Sequence, residues 1–450
     1  MLDARKNTGS GDRAILAGLY PQDGHLSPDT RLDELASLVS AAGGLALGRV
    51  YQRRGLARED GAAQRPVDPA TYLGRGKIDE IQFEVVNQGA NLVVFDNELS
   101  PAQIREIEQR LGCRVIDRSE LILDIFAARA RTREAMVQVE LAQLQYTAPR
   151  LRGMWSHLER QAGGGGGKSG GIGTRGPGEQ QIEIDRRIVQ KRISRLKSEL
   201  NQVLKRRERQ VTARNNRVWT IGLVGYTNAG KSTLLNHLTN AGTYAADQLF
   251  ATLDTVSRRW SVRPGVDIPV SDTVGFVRDL PHHLVASFRS TLAEALHADL
   301  LIHVVDASHP DTLDQVAAVH GVLSDLGVDL DRVVGALNKC DRDVDPTTLV
   351  ELRGLFSDAV TISAHTGQGT DDLAALVVRR RNADWVELEV VVPHTESKFA
   401  AMVHEHGEVL REDWKDDGWH ARISIPRPLK WQLEPFSGDA VADGAITSGG

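Results

Sequence analysis

Residues Trp219 to Leu238 read WTIGLVGYTNAGKSTLLNHL. A short apolar run enters Gly225-x-x-x-x-Gly230-Lys231-Ser232, and a helical pattern leaves it. This is the strand–loop–helix context that a phosphate-binding P-loop requires. Glycines let backbone N–H groups curl around a phosphate without Cβ clashes, and the helix N-terminus adds its positive end. The loop residues Gly225, Tyr226, Thr227, Asn228, Ala229, Gly230, Lys231, Ser232 and Thr233 are therefore candidate nucleotide contacts. In this reading Lys231 neutralises the β- and γ-phosphates and the Ser232 hydroxyl coordinates Mg²⁺.

Partner motifs follow in order. Asp272-Thr273-Val274-Gly275 ends the run PVSD, 40 residues past Ser232, and resembles the DxxG of GTPases. Asp272 is expected to hold Mg²⁺ through water, and the Gly275 N–H to sense the γ-phosphate. Asn338-Lys339-Cys340-Asp341 follows VVGALN and resembles the guanine signature NKxD. A carboxylate at Asp341 accepts from both guanine N1–H and the 2-amino group, whereas adenine offers neither. That selects GTP over ATP. Ser363, Ala364 and His365, after AVTIS, are the expected loop on the base, with a backbone N–H given to O6. Position 276, where small GTPases place a water-orienting Gln, is Phe276, which orients no water. Slow intrinsic hydrolysis, accelerated by a partner, is the expectation.

Outward from this centre, VWTIGLV, DIPVSD, LLIHVVD, VVGALN and AVTIS read as strands of an α/β domain over 218–381. Upstream, AILAGLY (14–20), LALGRVYQ (45–52), ANLVVFD (90–96) and CRVID (113–117) alternate with helical patterns at 30–42, 77–88 and 101–111. They predict an α/β domain at 13–117 with a mostly parallel sheet, after a flexible tail at 1–12. Downstream, VELEVVVP, SKFAAMVHEHG and WHARISIP predict a small α+β domain at 384–433, followed by a disordered tail at 434–450. The chain has 450 residues, 41% of them hydrophobic and 25% charged, which is ordinary for a globular protein of roughly three domains. No apolar run approaches the length of about 20 residues that a membrane span needs, and MLDARKNTGSGDR (1–13) has no apolar h-region, so no secretory leader is expected. Two cysteines support no disulfide framework. A cytoplasmic protein is expected.

The remaining segment, 118–217, reads as two long helices around a Gly-rich tip at 163–178, where 10 of 16 residues are Gly. The first pattern spans 119–146 and is expected to end near Pro149. In the second, Val189, Ile193, Leu196, Leu200 and Val203 recur at coiled-coil spacing. The net charge of the chain is −6, yet residues 150–217 carry 17 Lys+Arg against 6 Asp+Glu. Such a run is usually a solvated helix face. A long Gly loop, however, is costly to order unless something receives it, which favours RNA contact. Lys168, Arg175, Arg187, Lys191 and Arg195 are the candidate contacts.

FATLDTVSRRW (250–260), DTVGFVRDLPHHLVASFRSTL (272–292), FDNELSPAQ (95–103), the stretch 116–144 and GIGTRGPGEQQIE (171–183) together resemble the HflX family of ribosome-associated GTPases, from about Leu16 to Ile425. The resemblance implies an N-terminal α/β domain with a long helical hairpin, a Ras-like P-loop GTPase domain and a small α+β C-terminal domain. It implies GTP and GDP as ligands, Mg²⁺ as cofactor, and a monomer bound to the large ribosomal subunit through its rRNA and proteins, with the hairpin tip near the peptidyl-transferase region. Dissociation or rescue of stalled or idle ribosomes under heat or antibiotic stress is the implied role. Within FATLD, Phe250 and Ala251 join the nucleotide set, and Thr252 is the implied switch threonine for Mg²⁺ and the γ-phosphate. Lys231, Thr252 and Gly275 are the implied catalytic groups. Asn228 resembles the asparagine that holds K⁺ in related GTPases. Two positions depart from the family pattern: Thr255-Val256 replaces Pro-Thr after LD, and Gln180 replaces Thr after GPGE.

Other signals are weaker. AGGGGGKS (162–169) imitates a P-loop without strand or helix, and LGRGK (73–77) lacks the Ser/Thr. His282, His283, His394, His404, His406 and His420 have no zinc spacing. Tyr146 is expected to pack rather than stack on a base. Two other functions fit the basic hairpin: a hibernation or resistance factor that does not split ribosomes, and a GTPase acting on a non-ribosomal RNA.

Overall fold

The computed structural model describes residues 11–21, 27–54, 67–162, 187–203, 205, 219–240, 250, 256–263, 266–273, 275–278 and 298–437. The Gly-rich tip at 163–178 with Lys168 and Arg175, and Ala251, Thr252, Val274, Gln180 and Thr255, lie outside the described residues. So do residues 1–10 and 438–450. The chain divides into two compact units. One comprises Met1–Val203 with Gln248–Leu253 and Asp279–Phe288; the other comprises Leu204–Asp247, Asp254–Arg278 and Arg289–Gly450.

The first unit is built on four parallel strands in the order β2-β1-β3-β4: β1 (Arg13–Pro21), β2 (Leu45–Arg54), β3 (Leu92–Phe95) and β4 (Arg114–Asp117). Helices α1 (Pro28–Ala41), α2 (Arg75–Gln88) and α3 (Pro101–Leu111) supply the crossovers. From α2 and α3, Ile78, Ile81, Val85, Ile104 and Ile107 pack on Ile15, Ala17, Val93, Phe95 and Val115 of the sheet. Helix α3 starts where its sequence says. Ser100 accepts from Gln103 N–H, the Gln103 side chain accepts from Ser100 N–H, Pro101 opens the helix, and Gly112 ends it at φ 68°.

The long pattern at 119–146 is two helices rather than one: α4 (Arg118–Arg129) and α5 (Arg133–Ala162). Asp117 caps the first by accepting from Glu120 N–H, and Thr132 caps the second by accepting from Ala135 N–H. Nor does Pro149 end α5. Proline removes one donor from the ladder, and the neighbouring turns carry the helix on to Ala162. A further helix, α6, covers 187–203, with Val189, Ile193, Leu196 and Leu200 buried along its seam. Its ion pairs run Arg192 to Glu140 and Arg133 to Glu199, so α5 and α6 are antiparallel. Tyr146 packs, as expected: it is buried and donates its hydroxyl to Asp117.

The second unit holds a six-stranded sheet in the order β10-β9-β8-β5-β7-β6. Strands β5 (Ile221–Val224), β7 (Val266–Asp272), β8 (Leu300–Asp306), β9 (Val333–Asn338) and β10 (Ala359–Thr361) are parallel. The edge strand β6 (Val256–Arg263) is antiparallel and buries only Trp260, so it lacks the apolar run that marks the others. Helices α7 (Lys231–Leu238), α8 (Thr312–Asp325), α9 (Pro346–Gly354) and α10 (Thr370–Asp384) flank the sheet. A separate three-stranded antiparallel sheet follows, β11-β13-β12, from β11 (Trp385–Val392), β12 (Glu408–Lys415) and β13 (Gly418–Pro426), with α11 (Ser397–His406) against it. Strand β12 is as polar as β6 and escapes hydrophobic patterning in the same way. The expected disordered tail begins too early. Glu434–Phe436 form a 3₁₀ turn, Phe436 packs on Phe399, and Ser437 bridges to Val390, because this small sheet needs them to close its core. The chain is thus mixed α/β with a P-loop nucleotide domain.

Candidate nucleotide site

The site forms at the carboxyl ends of β5, β7, β8 and β9, where the loops of a parallel sheet converge. Gly225 leaves β5 at φ 146°, and a Cβ there would lie 2.3 Å from the Val304 carbonyl oxygen. Gly230 sits at φ 100°, where a Cβ would lie 2.3 Å from Asn338 Nδ2. Both glycines are obligatory on sterics alone. Between them Asn228 also has positive φ, 61°, and is exposed.

Lys231, the first residue of α7, is buried, and its ammonium donates to the carbonyls of Gly225 (3.0 Å) and Tyr226 (2.8 Å). Burial lowers its pKa to about 8, against a smaller opposing pull from Asp272. The Ser232 hydroxyl donates to Asp272 Oδ2 at 2.7 Å, so the P-loop and the end of β7 meet through two hard oxygens. Thr273 is fully buried and ties its hydroxyl to the Leu223 carbonyl. Gly275 lies on the loop itself, since a Cβ on it would meet Thr227 Cγ2 at 2.8 Å and Lys231 Nζ at 3.0 Å. Phe276 is buried and bridges the loop: Thr227 N–H donates to its carbonyl (2.7 Å) and its own N–H donates to Gly225 O (3.0 Å). Tyr226 Oη accepts from Arg278 N–H.

Asn338 links the base side to the phosphate side. Its Nδ2 donates to Ala229 O and its Oδ1 accepts from Ala364 N–H, each at 2.8 Å. Asp341 is exposed, and its carboxyl is held below the usual range, foremost by the Ser363 hydroxyl. Lys339 takes φ 64°, and its ammonium lies 2.7 Å from Asp306 Oδ2. Sequence reasoning passed over Asp306. The available signal was an acidic residue closing the otherwise apolar β8 at the nucleotide edge.

Two expectations need correction. The Ser363 and Ala364 amides do not point to a base: Ser363 N–H donates to Gln368 O and Ala364 N–H to Asn338, because the loop closes on itself as a tight turn. Phe250 is buried with its ring edge-on to Phe126, 4.7 Å between centroids, so packing in the first unit takes a side chain expected at the nucleotide. Thr233 and His365 follow Ser232 and Ala364 in sequence, and His365 is exposed.

The donor set fits Mg²⁺. Among the described residues no group of three His, Cys, Asp or Glu could cage a metal. A hydroxyl and a carboxylate that leave most positions to water and phosphate oxygens are what Mg²⁺ takes. Ser232 and Asp272 would hold it, and when bound it neutralises charge on the β- and γ-phosphates.

A P-loop, a DxxG carboxylate and an Asn-Lys-x-Asp loop brought to one sheet edge define a P-loop GTPase. Family comparison agrees. Residues 29–127 match "GTP-binding GTPase N-terminal", residues 129–214 "GTP-binding GTPase Middle Region" and residues 220–339 "50S ribosome-binding GTPase". GTPase HflX of Lacrimispora saccharolytica is 44% identical over 401 residues, 88% of this chain and 90% of that one. GTPase HflX of Escherichia coli K12 is 40% identical over 424 residues, 93% and 94% of the two chains. The chain belongs to the HflX family of GTPases. Among solved structures, a GTP-binding protein of Sulfolobus solfataricus in complex with GDP aligns over 81% of this chain and 98% of its own, at 23% identity and TM-score 0.42.

Proposed function

We propose that this GTPase binds the large ribosomal subunit, contacting its rRNA and proteins, and dissociates or rescues stalled or idle ribosomes under heat or antibiotic stress. The observation that carries the reading is a hairpin flank in which Arg187, Lys191 and Arg195 are exposed while the seam beside them is buried. Such a face supplies phosphate contacts without disturbing the fold. Arg192 is spent differently, on Glu140 within the hairpin. The division of labour follows the expected domains: an α/β domain at 13–117, the hairpin at 118–217 as effector, the GTPase domain at 218–381 as timer, and the small domain at 384–433.

GTP enters at the P-loop, where Ser232 and Thr252 would hold Mg²⁺ directly and Asp272 through water, the ion supplying charge neutralisation at the phosphates. Lys231 and the Gly275 N–H face the γ-phosphate, and Asp341 selects guanine. Phe276 gives water no partner, so hydrolysis is slow until ribosomal contact rearranges the loop it bridges. Asn228 would hold K⁺, which would supply charge stabilisation in place of an arginine; equal rates in K⁺ and Na⁺ would remove that part. The protein acts as a cytoplasmic monomer. No described helix is long and apolar enough to cross a membrane.

Sucrose-gradient sedimentation of whole ribosomes with the protein and a non-hydrolysable GTP analogue tests the reading, beside a deletion of 163–178. Conversion to subunits by the intact chain alone supports it. Binding without splitting favours a hibernation factor, and no co-sedimentation defeats both.

A further inference from the structure

Asp306 closes β8 opposite Asn338, its register partner on β9. Its two oxygens are divided: Oδ1 accepts from Ser308 N–H (3.1 Å) and Ser308 Oγ (2.7 Å), and Oδ2 holds Lys339 Nζ at 2.7 Å. Side-chain exposure is 11% for Asp306 and 16% for Lys339. Among the described residues few ion pairs are so sheltered; Arg133–Glu199 on the hairpin, for comparison, has an arginine that is 77% exposed. Removing one member of such a pair strands the other charge, whereas an exposed pair is nearly free to lose.

The rest of the Asn-Lys-x-Asp loop has its position set from within the recognised motifs. Asn338 is pinned to Ala229 and Ala364, and Asp341 stands beside Ser363. Lys339 is the member whose side chain is fixed from outside them. Its backbone is in the left-handed region, and its ammonium is drawn back to the end of the neighbouring strand. A four-carbon stem anchored at both ends is a preorganised apolar strip. Left unanchored, it loses its rotamer order to water.

We infer that Asp306 is a positioning residue for guanine-nucleotide binding, acting through Lys339 by holding its stem ready for the base and ribose that Asp341 recognises. The inference rests on the reading of 338–341 as the guanine site. Asp306 touches no reacting atom, and base and ribose are common to GTP and GDP. Its loss therefore weakens both ligands alike and leaves the chemical step alone, the signature of uniform binding.

Calorimetric titration of the full-length chain with GDP and with a non-hydrolysable GTP analogue tests this, using the wild type, D306N, D306A, K339A, D306A/K339A and D341A. D306A is expected to weaken both ligands about tenfold, the scale of one charge-assisted contact. D306N should do the same in smaller measure. In steady-state hydrolysis KM rises with the Kd while kcat changes by less than about twofold. With Lys339 already truncated, D306A should add less than about twofold, because the anchor then holds nothing. Thermal melts check folding, and D306N, which keeps the shape of the side chain, carries the test should D306A unfold. Full additivity of D306A and K339A overturns the inference. So does a folded D306A and D306N pair with wild-type affinity, or a loss confined to GTP. Unchanged GDP affinity in D341A defeats the guanine reading itself, which the Asp306 variants cannot do.

Discussion

Replacing Asn338 with alanine tests whether one side chain holds the two halves of the nucleotide site together. Asn338 is 2% exposed and makes two hydrogen bonds of 2.8 Å, to Ala229 O of the P-loop and from Ala364 N–H of the base-side turn. Each bond contributes about 1 kcal/mol net, and each buried partner left unpaired costs about 1–3 kcal/mol. Ala229 and Ala364 are themselves buried, so water does not readily replace the lost amide. The expected loss for Asn338→Ala is about 3–5 kcal/mol in the nucleotide-free chain, at the upper end for a single substitution. The assay is urea unfolding followed by fluorescence of Trp219 and Trp260, both buried in this unit's core. Asn338→Asp is the control: it keeps an acceptor for Ala364 but sets an oxygen against Ala229 O. It is expected to lose stability too, and to weaken GDP more than its stability loss alone explains. A folded Asn338→Ala protein within about 1 kcal/mol of wild type, still binding GDP normally, would refute the account of Asn338 as the tether.

Four further outcomes are expected. The Lys231 pKa falls from 10.5 unfolded to about 8 folded, so between these values the unfolded chain binds the extra proton and stability rises with pH. Urea midpoints of the nucleotide-free chain should climb from pH 7.5 to 10 relative to Lys231→Met, which is also expected to abolish GTP hydrolysis; parallel curves would deny the burial of Lys231. His303 is buried beside His320 and Phe356, and desolvation holds its pKa well below 6.5. Acidification below that value protonates only the unfolded chain and erodes stability, an effect His303→Gln should remove from the pH profile. Tyr146→Phe deletes the hydroxyl donated to Asp117 and should cost the first unit about 1–3 kcal/mol in chemical denaturation, leaving hydrolysis unchanged. Asp341→Asn exchanges an acceptor for a donor on an exposed side chain. Hydrolysis should shift from guanine toward xanthine nucleotide, and a variant that still prefers GTP would place base selection elsewhere.

Local chemistry made much of this protein legible before any fold was known. Two glycines at positive φ, a lysine and a serine opening a helix state a P-loop in eight residues, since backbone sterics act over that span. Ser100, Pro101 and Gly112 bound α3 for the same reason, and a heptad stripe places α6 without reference to its partner. Long-range spacing told less. Strands β6 and β12 are edge strands facing water, so neither carries the apolar pattern on which recognition depends, and pairing with β7 and β13 alone makes them strands. The interruption between α4 and α5 comes from Ala130, whose backbone turns extended, and from Thr132, which caps α5; a continuous helical pattern hides both.

Sequence by itself marked the P-loop, DxxG and Asn-Lys-x-Asp residues and pointed to a guanine nucleotide, because those motifs follow from side-chain chemistry at fixed local offsets. Only the tertiary structure decided which groups are already spent. The Ala364 amide goes to Asn338, Phe250 packs on Phe126, Lys231 is desolvated, and Lys339 is drawn to Asp306, 33 residues away in the chain. Hydrogen-bond partners and desolvation depend on what the sheet brings alongside, and parallel strands bring together residues that no local pattern relates.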